Sequence, residues 1–223
     1  MRDDYFNMFI EEFGEATQRV SVPAASIEKW RGKLPDQLLT YWQKEGWCAY
    51  AGGLLWIVDP EEYEDLIDEW LEDSRLDEID SFHVIARSAF GELYACGEKT
   101  GISITVACPL QQIFALQKEL EPKTKDELDI SIRAFFLSSS PRRFNLGDES
   151  GQLLFDGALK SLGALSSNEM YGFEPALVLG GKALLENLAK VDLDVHLTIL
   201  RQLGAPTVSI SSFEIDKLIS SQQ

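Results

Sequence analysis

The chain has 223 residues, 45% hydrophobic and 26% charged, with a formal net charge of −17, so it is long enough for an adequate core and is not composed like a disordered protein. A negative field of that size repels nucleic acid and anionic membranes and draws in cationic partners, which argues against direct binding to DNA or RNA. No apolar run approaches the roughly 18 residues needed to span a bilayer, and the start MRDDYFNMFIEEFGE lacks the basic and apolar parts of a signal peptide, so a cytoplasmic protein is expected.

The charge is concentrated at one end. Residues 1–80 hold 20 acidic against 7 basic side chains, a balance of −13, whereas 81–150 and 151–223 carry only −1 and −3. In chain order, Phe6, Phe9, Ile10 and Phe13 predict a first helix stopped by Gly14. Pro35 opens a second, carrying Leu38, Leu39, Tyr41 and Trp42, with Gly46 placed to end it. GGLLWIVD then reads as a short buried strand.

The acidic run that follows predicts a helix. Asp59 suits the N-cap, Pro60 the first helical position and Glu62 the third position of a capping box. Tyr63, Leu66, Ile67, Trp70 and Leu71 recur at helical spacing and form one apolar stripe. The remaining positions from 61 to 73 are all acids. Like charges at i,i+4 destabilise a helix, and a face kept for solubility normally mixes in lysines. The run therefore competes between a solvated face, a metal or catalytic site and a docking surface for something basic. The candidate partner-binding residues are Glu61, Glu64, Asp65, Asp68, Glu69, Glu72, Asp73 and Asp77, with nearby Trp and Tyr side chains expected as apolar anchors.

From Ser81 the period changes to two. FHVIARS, ELYACGE, ISITVAC and QQIFAL, separated by short breakers, predict an antiparallel meander. A helix is expected around Asp126–Leu137, then a Ser/Pro/Arg connector over 138–146. The last third predicts a helix over Leu153–Leu162, short strands in EPALVLGG and ALLENLAKV about a Gly-Gly hairpin turn, and a helix in DLDVHLTILRQLG with Val195, Leu197, Ile199, Leu200 and Leu203 at helical spacing. The fold class is α+β: an antiparallel sheet with packed helices over 1–137, and a smaller mixed α/β domain over 147–223.

Little else carries chemistry. Cys48, Cys96 and Cys108 are odd in number and fit neither a metal knuckle nor a disulfide framework, so they read as core. His83 and His196 are far apart in sequence and without a local nucleophile motif. GGKALLEN is not a phosphate loop, because Ala176 and Ala183 stand where glycine and Ser or Thr are needed. Acids on one wet helix face are alike, whereas a catalytic pair needs environments that push its pKa values apart. No catalytic residue, cofactor or metal is assigned.

Two stretches go beyond pattern. Val22–Leu71, with LPDQLLTYWQKEGW followed by a glycine-led apolar strand, resembles the bacterial GAD-like domain, and HVIARSAFGELYACGEKTG at His83–Gly101 continues the likeness through its AFG hairpin. Asp156–Gly204, including MYGFEPALVLGG, resembles the C-terminal domain that follows it in immunity proteins of the type VI secretion system. The resemblance implies a non-catalytic antidote that binds a cognate toxin encoded beside it, commonly a DNase. A DNase cleft must be basic to hold a polyanion, so the acidic run would fit it as a phosphate mimic. A carboxylate- and Mg²⁺-dependent hydrolase and a general interaction module without a toxin are the alternative readings.

Overall fold

The structure is a computed structural model that describes residues 2–221. Its elements in chain order are α1 (Asp4–Phe13), β1 (Thr17–Val20), α2 (Ala24–Trp30), α3 (Asp36–Glu45), β2 (Trp47–Tyr50), β3 (Leu55–Ile57), α4 (Glu64–Leu71), β4 (Phe82–Ser88), β5 (Glu92–Gly97), β6 (Gly101–Ala107), β7 (Gln112–Ala115), α5 (Lys125–Leu137), α6 (Phe155–Leu162), β8 (Glu169–Phe173), β9 (Leu188–Asp192), α7 (Leu193–Gln202), β10 (Thr207–Val208) and α8 (Ser212–Ser221). Local chemistry sets several boundaries. The Asp3 carboxylate accepts from the Phe6 N–H at 2.9 Å to start α1, and Gly14, at φ 76°, ends it. Thr124 and Glu127 form a reciprocal capping box that starts α5.

Eight strands form one sheet in the order β1-β2-β3-β4-β5-β6-β7-β10. The meander from β4 to β7 is antiparallel throughout, with His83 opposite Cys96 and Ile104 opposite Ala115. Only β10 joins in parallel, Thr207 lying opposite Gln112. Strands β8 and β9 form a separate antiparallel pair. The α+β class and the antiparallel meander are as the sequence predicts.

Strands β4, β5 and β6 are buried almost without interruption, which requires cover on both sheet faces. One face carries an aromatic cluster. Phe6 and Phe9 of α1 meet Tyr50 of β2 and Phe136 of α5 at centroid distances of 4.8–6.4 Å, and Tyr94 of β5 meets Phe135 at 5.8 Å. Side chains alternate along a strand, so Trp56, Arg87 and Leu93, which are register partners, point to the opposite face, where α4 and the C-terminal elements lie.

Three expectations need correction. The acidic helix starts late: residues Pro60–Tyr63 form a 3-10 turn and α4 begins only at Glu64. The Asp59 carboxylate accepts from Glu61 N–H at 3.1 Å, while Glu62 N–H goes to the Asp59 carbonyl, so the capping box does not form. EPALVLGG is not a strand. Its Leu177–Leu179 is a 3-10 turn within the connection between β8 and β9, and strand structure resumes only at Leu188. Gly180 sits at φ 87°, and a Cβ on Gly181 would lie 1.9 Å from the Pro175 carbonyl oxygen, so the glycines serve a compact loop and not a two-residue hairpin. Finally, α2 arises within VPAASIEKW, a stretch for which the sequence predicts no helix; Ile27 and Trp30 are its buried residues.

The segment following α5 carries a 3-10 turn, Pro141–Phe144, whose Phe144 is wholly buried. Arg143 stacks near Tyr94, Phe135 and Phe144 at 5.6–5.9 Å from their centroids. Among the described residues, no helix is long and apolar enough to cross a membrane.

Candidate binding surface

Helix α4 is amphipathic in the manner its spacing dictates. Leu66, Ile67, Trp70 and Leu71 are buried, and Tyr63 just before it is buried too. Its other positions face outward. The chain leaves α4 through Asp73 and Arg75, both at left-handed φ of 66° and 64°, and turns back through a 3-10 turn at Leu76–Glu78. That reversal lays residues 77–83 beside the helix and encloses an open groove of about 830 Å³.

Glu64, Asp65, Asp68, Glu69, Glu72 and Asp77 of the predicted set line this groove, joined by Asp80 and His83. No lysine or arginine is among its described lining residues. Two predicted residues lie outside it. Glu61 bonds Lys29 of α2 at 3.0 Å, and the same ammonium lies 3.7 Å from Glu64. Asp73 is exposed but sits on the turn beyond the helix. The run is therefore not wholly uncompensated. Lys29 neutralises its start, and Arg201 of α7 reaches its end, 3.8 Å from the Glu72 carboxylate and donating to the Glu69 carbonyl at 2.8 Å. Arg75 pairs with Glu78 and Asp216. Lys29 comes from α2 and Arg201 lies 132 residues beyond Glu69 along the chain, which is why local charge counting missed them.

The two groove residues that sequence reasoning missed have identifiable roles. Asp80 is buried and accepts from the N–H groups of Lys99 and Thr100 at 2.8 Å each and from the Thr100 hydroxyl at 2.9 Å. It fastens the β5–β6 turn and has little capacity left for a ligand. His83 lies 3.1 Å from Glu98 and edge-on to Trp30 at 4.7 Å.

The expected aromatic anchors are not on this surface. Trp30, Trp56, Tyr63 and Trp70 are all buried: Trp70 lies on the apolar stripe of α4, Tyr63 on the turn before it, and Trp30 and Trp56 on α2 and β3. The exposed large apolar side chains lie elsewhere, several of them between residues 178 and 203.

Behind α4 lies Arg87, wholly buried and without a carboxylate partner among the described residues. It stacks on Trp56 at 4.6 Å and donates to the Ser167 carbonyl at 2.7 Å and the Ser88 carbonyl at 3.3 Å, while its Nε–H finds no acceptor. Burial pushes its pKa down, opposed by the neighbouring Tyr63 hydroxyl. Next to it the AFG turn receives the C-terminal part of the chain. Tyr171 N–H donates to the Ala89 carbonyl at 2.9 Å, the Phe90 and Tyr171 rings are 6.0 Å apart, and a Cβ on Gly91 would lie 2.7 Å from Met170 and 2.9 Å from Leu197.

The three cysteines are buried and unpaired, and burial pushes the Cys48 thiol up to about 11. His196 on α7 packs against Gly172, and burial lowers its pKa, favouring the neutral ring. Among the described residues, no group of three or more His, Cys, Asp and Glu side chains is placed to hold a metal ion.

Comparison with known proteins places the chain by family and fold. Residues 4–110 match the GAD-like domain, and residues 129–204 match the C-terminal domain of the T6SS immunity protein Tdi1. Among solved structures, the crystal structure of Atu4351 from Agrobacterium tumefaciens is similar in fold, with a TM-score of 0.79, 22% sequence identity, and 94% of this chain and 95% of that one covered. No curated protein matches.

Proposed function

The chain carries a GAD-like domain followed by a T6SS Tdi1-type immunity domain, a family that implies a cognate toxin as partner, and from that premise we propose that it neutralises a DNase toxin by seating its acidic groove on the toxin's basic substrate cleft. Residues 1–137 would form the GAD-like unit and 147–223 the immunity unit, acting in the cytoplasm without catalysis, cofactor or metal. The observation that supports this reading is the convergence of Glu64, Asp65, Asp68, Glu69, Glu72 and Asp77 on one groove with no lysine or arginine among its described lining residues.

The physics of inhibition follows from charge and position. A DNA-binding cleft lined by Lys and Arg holds phosphates mainly by Coulomb attraction and counterion release. A fixed row of carboxylates offers the same cleft a preorganised polyanion and raises the rate of encounter at low salt. The test is direct. The reading requires a basic effector-type protein encoded beside this gene; with that protein purified, its cleavage of plasmid DNA is titrated with the chain. Cleavage should fall linearly to zero near one equivalent, and excess DNA should compete with binding. A complex that forms but still binds DNA with unchanged affinity would rule out occlusion of the cleft.

A further inference from the structure

We propose that the toxin-binding surface does not end at the acidic groove but crosses α7, whose Val195, Ile199 and Leu203 supply the apolar anchor that α4 lacks. This rests on the immunity reading above and names a second part of the same interface.

Helix α7 has two aspects. Leu193, Leu197 and Leu200 are buried, whereas Val195, Ile199 and Leu203 are 56%, 49% and 40% exposed. Spaced at i, i+4 and i+8, those three form one stripe. At about 100° per residue, Asp194 and Arg201 fall on the flank towards α4, Val195 and Ile199 on the crest, and Leu203 on the far flank. The contacts agree: Arg201 donates to the Glu69 carbonyl, and Asp194 shares a recess with Glu62, Tyr63 and Leu66. On the far side, Gln111 donates to the Leu200 carbonyl at 2.6 Å, and a shallow groove beside it is lined by Leu110, Leu177, Val178 and Ala205.

Size, charge and continuity identify the occupant. A stable inhibitor interface takes roughly 20–30 residues a side around a desolvated apolar centre, and the groove is lined by 12 residues, its apolar members buried. The surface must therefore extend. Towards α2 it meets Lys29 and Lys33, whose charges a basic partner avoids. Towards α7 it passes Arg201, which is largely buried against Glu69 and Glu72, stays acidic through Glu62, Asp192 and Asp194 and then becomes apolar. A second copy of a chain of charge −17 would bring like-charged rims together. A basic protein with an apolar patch bordered by Lys and Arg fits both parts at once.

The experiment is a kinetic split, using as probe a nuclease-disabled form of the effector that the proposed function requires beside the gene. The Val195→Ser/Ile199→Ser/Leu203→Ser variant should dissociate at least about 30-fold faster, with association rate and salt dependence within about twofold of wild type, because desolvated contacts act mainly on dissociation. The single Ile199→Ala variant, expected to dissociate about fivefold faster, keeps the test open should the triple variant unfold. Wild-type dissociation in folded variants overturns this inference and leaves the immunity reading standing. A wild-type chain that is dimeric in solution, and monomeric in the triple variant, assigns the stripe to a second copy and also overturns it. Failure of the wild-type chain to bind the probe at all overturns the immunity reading itself.

Discussion

Reversing three charges in the groove should move stability and association in opposite directions. Asp65, Asp68 and Asp77 are exposed groove residues, and replacing each by Lys adds two charge units, taking the net charge from −17 to about −11. Within the groove, the seven lining carboxylates Glu64, Asp65, Asp68, Glu69, Glu72, Asp77 and Asp80 become four facing three lysines. Steering by a nearly neutral patch is lost, so association with a basic toxin should fall about 100-fold at low salt, towards the unsteered range of roughly 10⁵–10⁶ M⁻¹s⁻¹. The fold should gain. The repulsive i,i+4 pairs Glu64–Asp68, Asp65–Glu69 and Asp68–Glu72 all become attractive, each worth a few tenths of a kcal/mol on either side of zero. Together they contribute about 1–2 kcal/mol, or roughly 2–8 °C in melting temperature for a chain of this size. Stopped-flow association at two salt concentrations and thermal unfolding by circular dichroism measure both. A variant that melts higher yet associates at the wild-type rate with the wild-type salt dependence would reduce the groove to a solvated face.

The other expectations are narrower. Glu92 is held above its ordinary pKa by burial, although the Tyr94 hydroxyl donates to it at 2.9 Å; the folded state thus binds more protons than the unfolded state above about pH 4.5, and stability falls as pH rises through that window. Glu92→Gln should therefore raise the melting temperature at pH 7, with the gain disappearing below pH 4. Gly91→Ala places a methyl group at φ 82° against Met170 and Leu197 and should cost about 1–3 kcal/mol in urea unfolding. Glu45 is buried and accepts from Arg2 at 2.7 Å and Arg19 at 2.8 Å; Glu45→Ala should cost about 2 kcal/mol and increase hydrogen exchange in α1 and β1.

The sequence was most legible where breakers and periodicity coincide. Pro35 and Gly46 bracket α3 as their backbone preferences require, and the alternating runs after Ser81 became β4 to β7 in order. The apolar stripe of α4 was legible for the same reason. The missing parts depend on distant residues. Helix α2 is short, with Ile27 and Trp30 its only buried positions, too few to show a period. Strand β10 is two residues long and pairs in parallel with β7, a partner that no local pattern names. EPALVLGG has the composition of a strand, yet Gly181 must pass against the Pro175 carbonyl, and that close approach bends it into a loop. In the groove, Asp77 and Asp80 face α4 only because Asp73 and Arg75 take left-handed conformations, and neither residue type announces such a turn as glycine would.

Two of the strings that carry the family resemblance lie far apart in sequence but meet in space. The AFG turn between β4 and β5 accepts the Tyr171 N–H from MYGFEP and leaves room at Gly91 for Met170. Beside it, Arg87 of β4 donates to the Ser167 carbonyl while stacking on Trp56 and touching Tyr63. A guanidinium buried without a carboxylate is costly, and here its hydrogen bonds go to backbone carbonyls and its face to an indole, so it is held only if those partners stay in place. Tyr63 precedes the acidic helix and Ser167 precedes β8, so the contact fixes α4 relative to the C-terminal elements. Arg201 adds a second tie from α7 to the Glu69 carbonyl. A groove and a stripe carried on helices locked in this way would meet a partner without first being ordered, and the affinity otherwise lost to ordering would be kept.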